Sequence, residues 1–184
     1  IGTLLLAWHE KFKTPLVYTM RVKRLFATDI ILFAVVATLA VLFAGKWATA
    51  IIGAALVFSN ILMLLANLIN TPIEKAINRH YYNDAKRIIG SNRNLIVIGV
   101  TGSFGKTSTK NYLASVLAEK YNVLVTPGNF NTLLGVIRTI REHLRPYHQV
   151  FIVEMGAKQT NDIKEICDLV HPTIGIVTAV GEMH

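Results

Sequence analysis

The 184 residues include only one cysteine, five prolines and eleven acidic side chains. Cys167 has no partner within the chain, so no internal disulfide staples the fold and a reducing compartment suits it. It stands among apolar residues at helical spacing between Ile163 and Val170, where it reads as a small packing residue and not as a catalytic thiol. Acidic residues are scarcest early: eleven basic and four acidic residues precede Leu95, an excess of seven, whereas eight and seven follow. The net charge of +8 therefore flanks apolar runs and is not spread as a nucleic-acid surface would require, so no nucleic-acid partner is expected.

Charge is absent altogether from residues 30–45 and again from 47–73. A spanning helix needs about 20 apolar residues, so residues 25–73 are expected to form two transmembrane helices turned at Lys46 and Trp47. Five Lys or Arg precede the first run, one separates the two, and five follow, which puts both ends on the cytoplasmic side of a multi-pass protein with the lipid bilayer as partner. Residues 1–24 read as a basic juxtamembrane segment, with residues 1–8 as the end of an earlier span or the start of an amphipathic helix. Asn60 and Asn67, seven apart, would share a helix face and hydrogen-bond to a neighbouring helix. Pro72 is expected to open a further helix, an amphipathic linker over 74–94 that closes at the polar stretch Gly90 to Asn94; His80 on it reads as an interface histidine.

From residue 95 the pattern changes. Ile96 to Val100 is a β-branched run, followed by Thr101 Gly102 Ser103 Phe104 Gly105 Lys106 Thr107 Ser108 and then by residues able to open a helix. This is the layout of a phosphate-binding loop, in which two glycines turn backbone N–H groups inward, a helix start adds its positive end, Lys106 reaches the β- and γ-phosphates and the Thr107 hydroxyl faces Mg²⁺. Val100 stands where the common motif has its first glycine, so the loop is a variant. Strands at about 122–126, 149–154 and 174–179 then alternate with helices at 107–121, up to His143, and at 161–170, which predicts a parallel sheet with helices on both faces. Ligands gather at the carboxyl ends of such strands. Glu154 ends one strand and could bind Mg²⁺ beside Thr107, and His184 lies just beyond another, where a neutral imidazole could bind a second metal.

Four segments taken together resemble one family. The loop 101–108, Asn129 Phe130 Asn131 followed by Gly135, Val153 Glu154 Met155 Gly156 Ala157, and the run 178–184 are similar, in order and separation, to motifs of the central domain of the Mur ligases, the ATP-dependent amide-forming enzymes of bacterial cell-wall synthesis. The resemblance covers residues 95–184, and its wording is most similar to the enzymes that add D-alanyl-D-alanine to a UDP-linked muramoyl tripeptide. It implies the N-terminal part of an α/β P-loop domain; with the helical hairpin and its flanking charges before it, the protein is expected at the bacterial inner membrane with its catalytic domain in the cytoplasm. Also implied are ATP and Mg²⁺ as cofactors, an acyl-phosphate route, and Thr101, Gly102, Ser103, Gly105, Lys106, Thr107 and Ser108 as the nucleotide-binding set. In the same carry-over Lys106 binds phosphate, Thr107 and Glu154 hold a first Mg²⁺, His184 holds a second metal, and Asn131 lies near the γ-phosphate and the substrate carboxylate.

Soluble relatives carry a UDP-sugar domain before the loop, whereas only about 25 residues separate the second apolar run from it here, so a lipid-linked carboxylate is expected as an alternative to a UDP-linked muramoyl peptide. The family's carbamylated lysine, adenine contacts and C-terminal domain belong beyond His184, and the 184 residues alone are expected to ligate nothing. Two other readings stay open: a membrane-anchored P-loop NTPase for transport or signalling, and another amide ligase such as a glutamate-chain extender. The Leu-Ser-Gly-Gly-Gln and Asn-Lys-x-Asp segments of two large NTPase classes do not occur in the sequence.

Overall fold

Two features, a break in an apolar run and an alternation of strand and helix, organise the two compact units, residues 1–76 and 77–184. The structure, a computed structural model, describes residues 18–128 and 130–181. The expectations for residues 1–8 and most of the basic segment, for Asn129, and for Glu182, Met183 and His184 lie outside the described residues.

In the first unit, helix α1 spans Met20–Phe43 and is followed by a 3₁₀ turn, Gly45–Trp47. Helix α2, Ala48–Val57, and helix α3, Ser59–Ser91, come next, and the division between the units falls within α3. The second apolar run is not one continuous helix. It breaks at Phe58, where the segments on either side bend by 70°, and only α1, with a mean hydropathy of 2.5, is by itself long and apolar enough to cross a membrane among the described residues. One such helix is a property shared with core helices and signal sequences. In place of two straight helices, the structure has one apolar helix followed by a bent helical pair.

Pro72, expected to start a helix, instead sits inside the 33 residues of α3. A proline there leaves the Leu68 carbonyl without its helical donor; in the same turn Thr71 Oγ1 donates to the Asn67 carbonyl at 2.8 Å and Asn70 Nδ2 to that of Ala66 at 2.8 Å. Asn70 also donates to Thr28 Oγ1 at 3.0 Å, and Arg24 pairs with Glu74 at 2.6 Å, so α1 and α3 are joined by polar contacts. The interhelical asparagine is thus Asn70; Asn60 and Asn67 are exposed.

In the second unit the strands are β1 (Ile96–Thr101), β2 (Val123–Val125), β3 (Val150–Glu154) and β4 (Ile174–Val177). They pair in parallel in the order β2-β3-β1-β4. Helices α4 (Lys106–Ala118), α5 (Leu133–His143) and α6 (Asp162–Val170) connect them. Because side chains alternate along a strand, Ile98, Val100, Val150 and Ile152 meet Leu113 and Leu117 of α4 on one face. Val97, Phe151 and Val153 meet Val136, Ile137 and Ile140 of α5 and Ile166 and Leu169 of α6 on the other. All five residues of β3 are buried, and their full apolar character up to Glu154 is what a strand covered on both faces requires. The register sets Val100 opposite Glu154 and Thr101 opposite Val177, so the carboxyl ends of three strands converge at one edge.

Candidate functional site

The loop after β1 can fold only because two of its residues lack a Cβ. Gly102 has φ +139° and Gly105 has φ +80°, a region that favours glycine, and a Cβ on Gly102 would collide with the side chain of Thr178. Thr178 fills that space and shares its hydroxyl proton between the carbonyls of Phe104 at 2.6 Å and Thr101 at 3.0 Å. Ser103 N–H donates to the Ala179 carbonyl at 2.8 Å, and Ser103 Oγ exchanges hydrogen bonds of 3.1 Å with the backbone of Gly181. The segment after β4 therefore braces one side of the loop. On the other side α4 begins with Gly105 as N-cap and no side chain on its first N–H groups, which leaves the positive end of the helix open to an anion.

Lys106 Nζ donates to the carbonyls of Gly102 at 2.6 Å and Ser103 at 3.2 Å, so its ammonium is held by the loop it would serve. Thr101, Gly102, Ser103 and Lys106 line a cavity of about 920 Å³ together with Asn131 and Gly156. Gly105, Thr107 and Ser108 are outside that lining, and Ser108 is exposed on the first turn of α4. Across the cavity, Asp162 Oδ2 accepts the backbone N–H groups of Lys158 at 2.8 Å and Gln159 at 2.9 Å, which holds its carboxyl below the usual range.

Glu154 is the meeting point of the site. Its carboxylate accepts the Thr107 hydroxyl at 3.0 and 3.2 Å and the Asn131 amide at 3.4 Å, and its N–H donates to Thr126 Oγ1 at 3.1 Å. The structure thus brings Thr107, Glu154 and Asn131 together. His184 lies outside the described residues and Glu154 has no described histidine partner. The residue that the sequence motifs did not single out is Lys110. It is 2% exposed and its Nζ stands 3.0 Å from Glu154 Oε2. Spacing held a signal: Lys110 follows Thr107 by three positions, so the two share a helix face. Thr126 and Thr178 carried no such signal, because their partners are far away in sequence.

Thr107 and Glu154 together offer a hydroxyl and a carboxylate beside an anion-binding helix end. Mg²⁺ is held by one or two carboxylates with phosphate and water oxygens completing its shell, and this hard-oxygen pair fits it. Among the described residues no three His, Cys, Asp or Glu cluster as a closed metal cage.

Comparison with known proteins bears on the same segment. The family model described as the Mur ligase middle domain matches residues 100–184. Residues 100–184 are thus similar to the Mur ligase middle domain. A UDP-N-acetylmuramoyl-tripeptide–D-alanyl-D-alanine ligase of Synechocystis is 46% identical over 88 residues, which is 48% of this chain and 19% of that protein. The ligase of the same name from Treponema pallidum is 37% identical over 90 residues, 49% of this chain and 19% of its own length. Among solved structures, the MurF ligase of Thermotoga maritima in complex with ADP superposes with a TM-score of 0.54 at 33% identity, covering 58% of this chain and 24% of that one. MurF from Acinetobacter baumannii gives a TM-score of 0.54 at 35% identity, covering 56% and 22%. The chain thus spans about a fifth of the length of the curated Mur ligase relatives it matches.

The match to the Mur ligase model begins at residue 100, and the relatives are named as ligases of a UDP-linked muramoyl tripeptide. With only one continuous helix among the described residues long and apolar enough to cross a membrane, which is weak evidence, the expected multi-pass placement in the bacterial inner membrane, and the lipid bilayer as partner, are withdrawn.

Proposed function

We propose that the protein is an ATP-dependent amide ligase of peptidoglycan precursor synthesis, with its nucleotide-binding segment at residues 95–184. It joins D-alanyl-D-alanine to the carboxylate of a muramoyl tripeptide. The observation that carries this reading is the convergence of Lys106, Thr107, Asn131 and Glu154 at the carboxyl ends of β1 and β3 within a Mur ligase middle-domain segment. The names of the relatives favour a UDP-linked peptide over a lipid-linked one, and the ADP held by the Thermotoga maritima structure supports ATP as the nucleotide.

In this reading a carboxylate oxygen of the peptide attacks the γ-phosphorus of ATP, the bond to the β-phosphate oxygen breaks, and ADP leaves. The amine then attacks the acyl carbon of the resulting acyl phosphate, and phosphate departs. The protein's work is positioning and charge neutralisation, since two anions must meet. Lys106 turns from the carbonyls of Gly102 and Ser103 to the β- and γ-phosphates, while the open N-terminus of α4 takes the remaining phosphate charge. Mg²⁺ at Thr107 and Glu154 would neutralise the triphosphate. Asn131, held under the backbone of Gly156 and against Glu154, is assigned to orient the γ-phosphate and the peptide carboxylate. His184 is assigned, on the family resemblance, to a second metal.

The test is phosphate release by the full-length protein with ATP and Mg²⁺, adding UDP-muramoyl tripeptide and D-alanyl-D-alanine singly and together. Release that needs both, with the matching mass gain on the peptide, is the expected result. Steady release with neither would instead make the protein a P-loop NTPase.

A further inference from the structure

Lys110 is the most unusual side chain in the second unit: an ammonium buried to 2% exposure, in contact with the carboxylate assigned to the metal. An ammonium has three N–H donors. Two hydrogen bonds hold it, to the Thr126 carbonyl at 2.9 Å and the Gly128 carbonyl at 2.7 Å, and it forms an ion pair with Glu154 Oε2 at 3.0 Å. Buried and held by two carbonyls and a carboxylate, Lys110 is a fixed positive charge. It also ties α4, the end of β2 and the end of β3 to one point.

We infer that Lys110 makes divalent-cation binding at Thr107 and Glu154 depend on the nucleotide. This rests on the proposed metal role of that pair. The charges decide the point. Glu154 contributes one negative charge, Lys110 cancels it, and Thr107 and Asn131 are neutral, so the protein offers a bare dication a site with no net charge and a cation already installed. Lys106 and the N-terminus of α4 add further positive potential next to it. Phosphate oxygens supply the missing negative charge, so metal and nucleotide enter together. Lys110 thereby acts as a positioning residue, holding Glu154 in place before the metal arrives and keeping the empty site from filling with free cation.

Mn²⁺ binding to the full-length protein, followed by electron paramagnetic resonance with and without ADP, tests this without any turnover. In the unaltered protein ADP is expected to tighten Mn²⁺ binding by on the order of a hundredfold, and in Lys110→Met, which keeps the stem but not the charge, by about tenfold or less. The narrowing must come from a gain in affinity for Mn²⁺ alone, which damage to the fold cannot produce. Lys110→Gln, whose amide retains donors for the Thr126 and Gly128 carbonyls, should show the same gain if the methionine variant does not fold. Tight Mn²⁺ binding by the unaltered protein without ADP overturns the inference whatever the variants do, as does an unchanged ADP dependence in a folded variant. Glu154→Gln separates the two levels of the argument. If it leaves Mn²⁺–ADP binding intact, the metal site itself is wrongly assigned; if it abolishes that binding while the Lys110 variants behave as wild type, only the role of Lys110 falls.

Discussion

Gly156 lies so close beneath Asn131 that a Cβ at position 156 would stand 2.9 Å from Asn131 Cγ. The same two residues are joined by the Gly156 N–H donating to the Asn131 carbonyl at 2.8 Å, and the Asn131 amide in turn reaches Glu154. A single added methyl group therefore presses on the site and not on the core. If the proposed ligase activity holds, Gly156→Ala is expected to lower kcat of the full-length protein by about a hundredfold, because an ångström of misplacement at reacting groups costs that much. Stability should fall by only about 1–3 kcal/mol. Steady-state kinetics beside a thermal melt would separate the two, and full activity would remove Asn131 from the proposed machinery.

Thr178 holds the phosphate loop through one hydroxyl. Thr178→Val keeps the branched shape and removes the donor, at a cost of about 1 kcal/mol. The loop is then held less firmly before the nucleotide arrives, and the dissociation constant for ADP should rise roughly fivefold. Equilibrium titration with a fluorescent nucleotide checks this; an unchanged constant would mean that the contacts of Ser103 with Ala179 and Gly181 suffice.

Asp84 on α3 accepts from Arg141 of α5 at 2.8 Å and from Arg87 at 2.9 Å, and the Arg141 hydrogen bond foremost, then that of Arg87, holds its carboxyl below the ordinary 3.8. A carboxyl with a depressed value in the folded state contributes stability above its unfolded value, and that contribution is lost as pH falls through the folded one. Denaturation midpoints should therefore drop more steeply below about pH 4 in the natural protein than in Asp84→Asn. Parallel curves would show that the pair contributes nothing.

His148 behaves in the same sense at higher pH. Burial lowers its value from 6.5, and its Nδ1 accepts the Arg145 N–H at 2.9 Å, a bond that requires the neutral ring. Its contribution to stability is complete above about pH 6.5 and is lost as pH falls through the lowered folded value. His148→Gln should flatten the stability profile in that window, read by denaturant titration at a series of pH values.

Much of the catalytic half is legible without coordinates because its signals are local. A β-branched run, two glycines and a lysine followed by a hydroxyl describe a strand, a turn and a helix start within about a dozen consecutive residues, and Glu154 announces itself as the polar end of an apolar strand. The first half misled for the opposite reason. Absence of charge over residues 47–73 measures composition, not continuity, and a chain can bend at Phe58 without any change in composition. Pro72 read as a start signal, yet α3 continues through it with hydroxyl and amide side chains nearby bonded to the carbonyls of the preceding turn.

The sequence by itself determined the strand, glycine turn and helix start around residues 96–108, the succession of strands and helices, and the placing of Glu154 at a strand end, since each depends on neighbours along the chain. Only the tertiary structure decided the order β2-β3-β1-β4, the brace of Thr178 on the loop and the burial of Lys110. Lys110 shows why most plainly. A lysine is buried only where charge and donors are all matched, and its acceptors at Thr126, Gly128 and Glu154 belong to segments that meet only when parallel pairing brings the ends of β2 and β3 side by side.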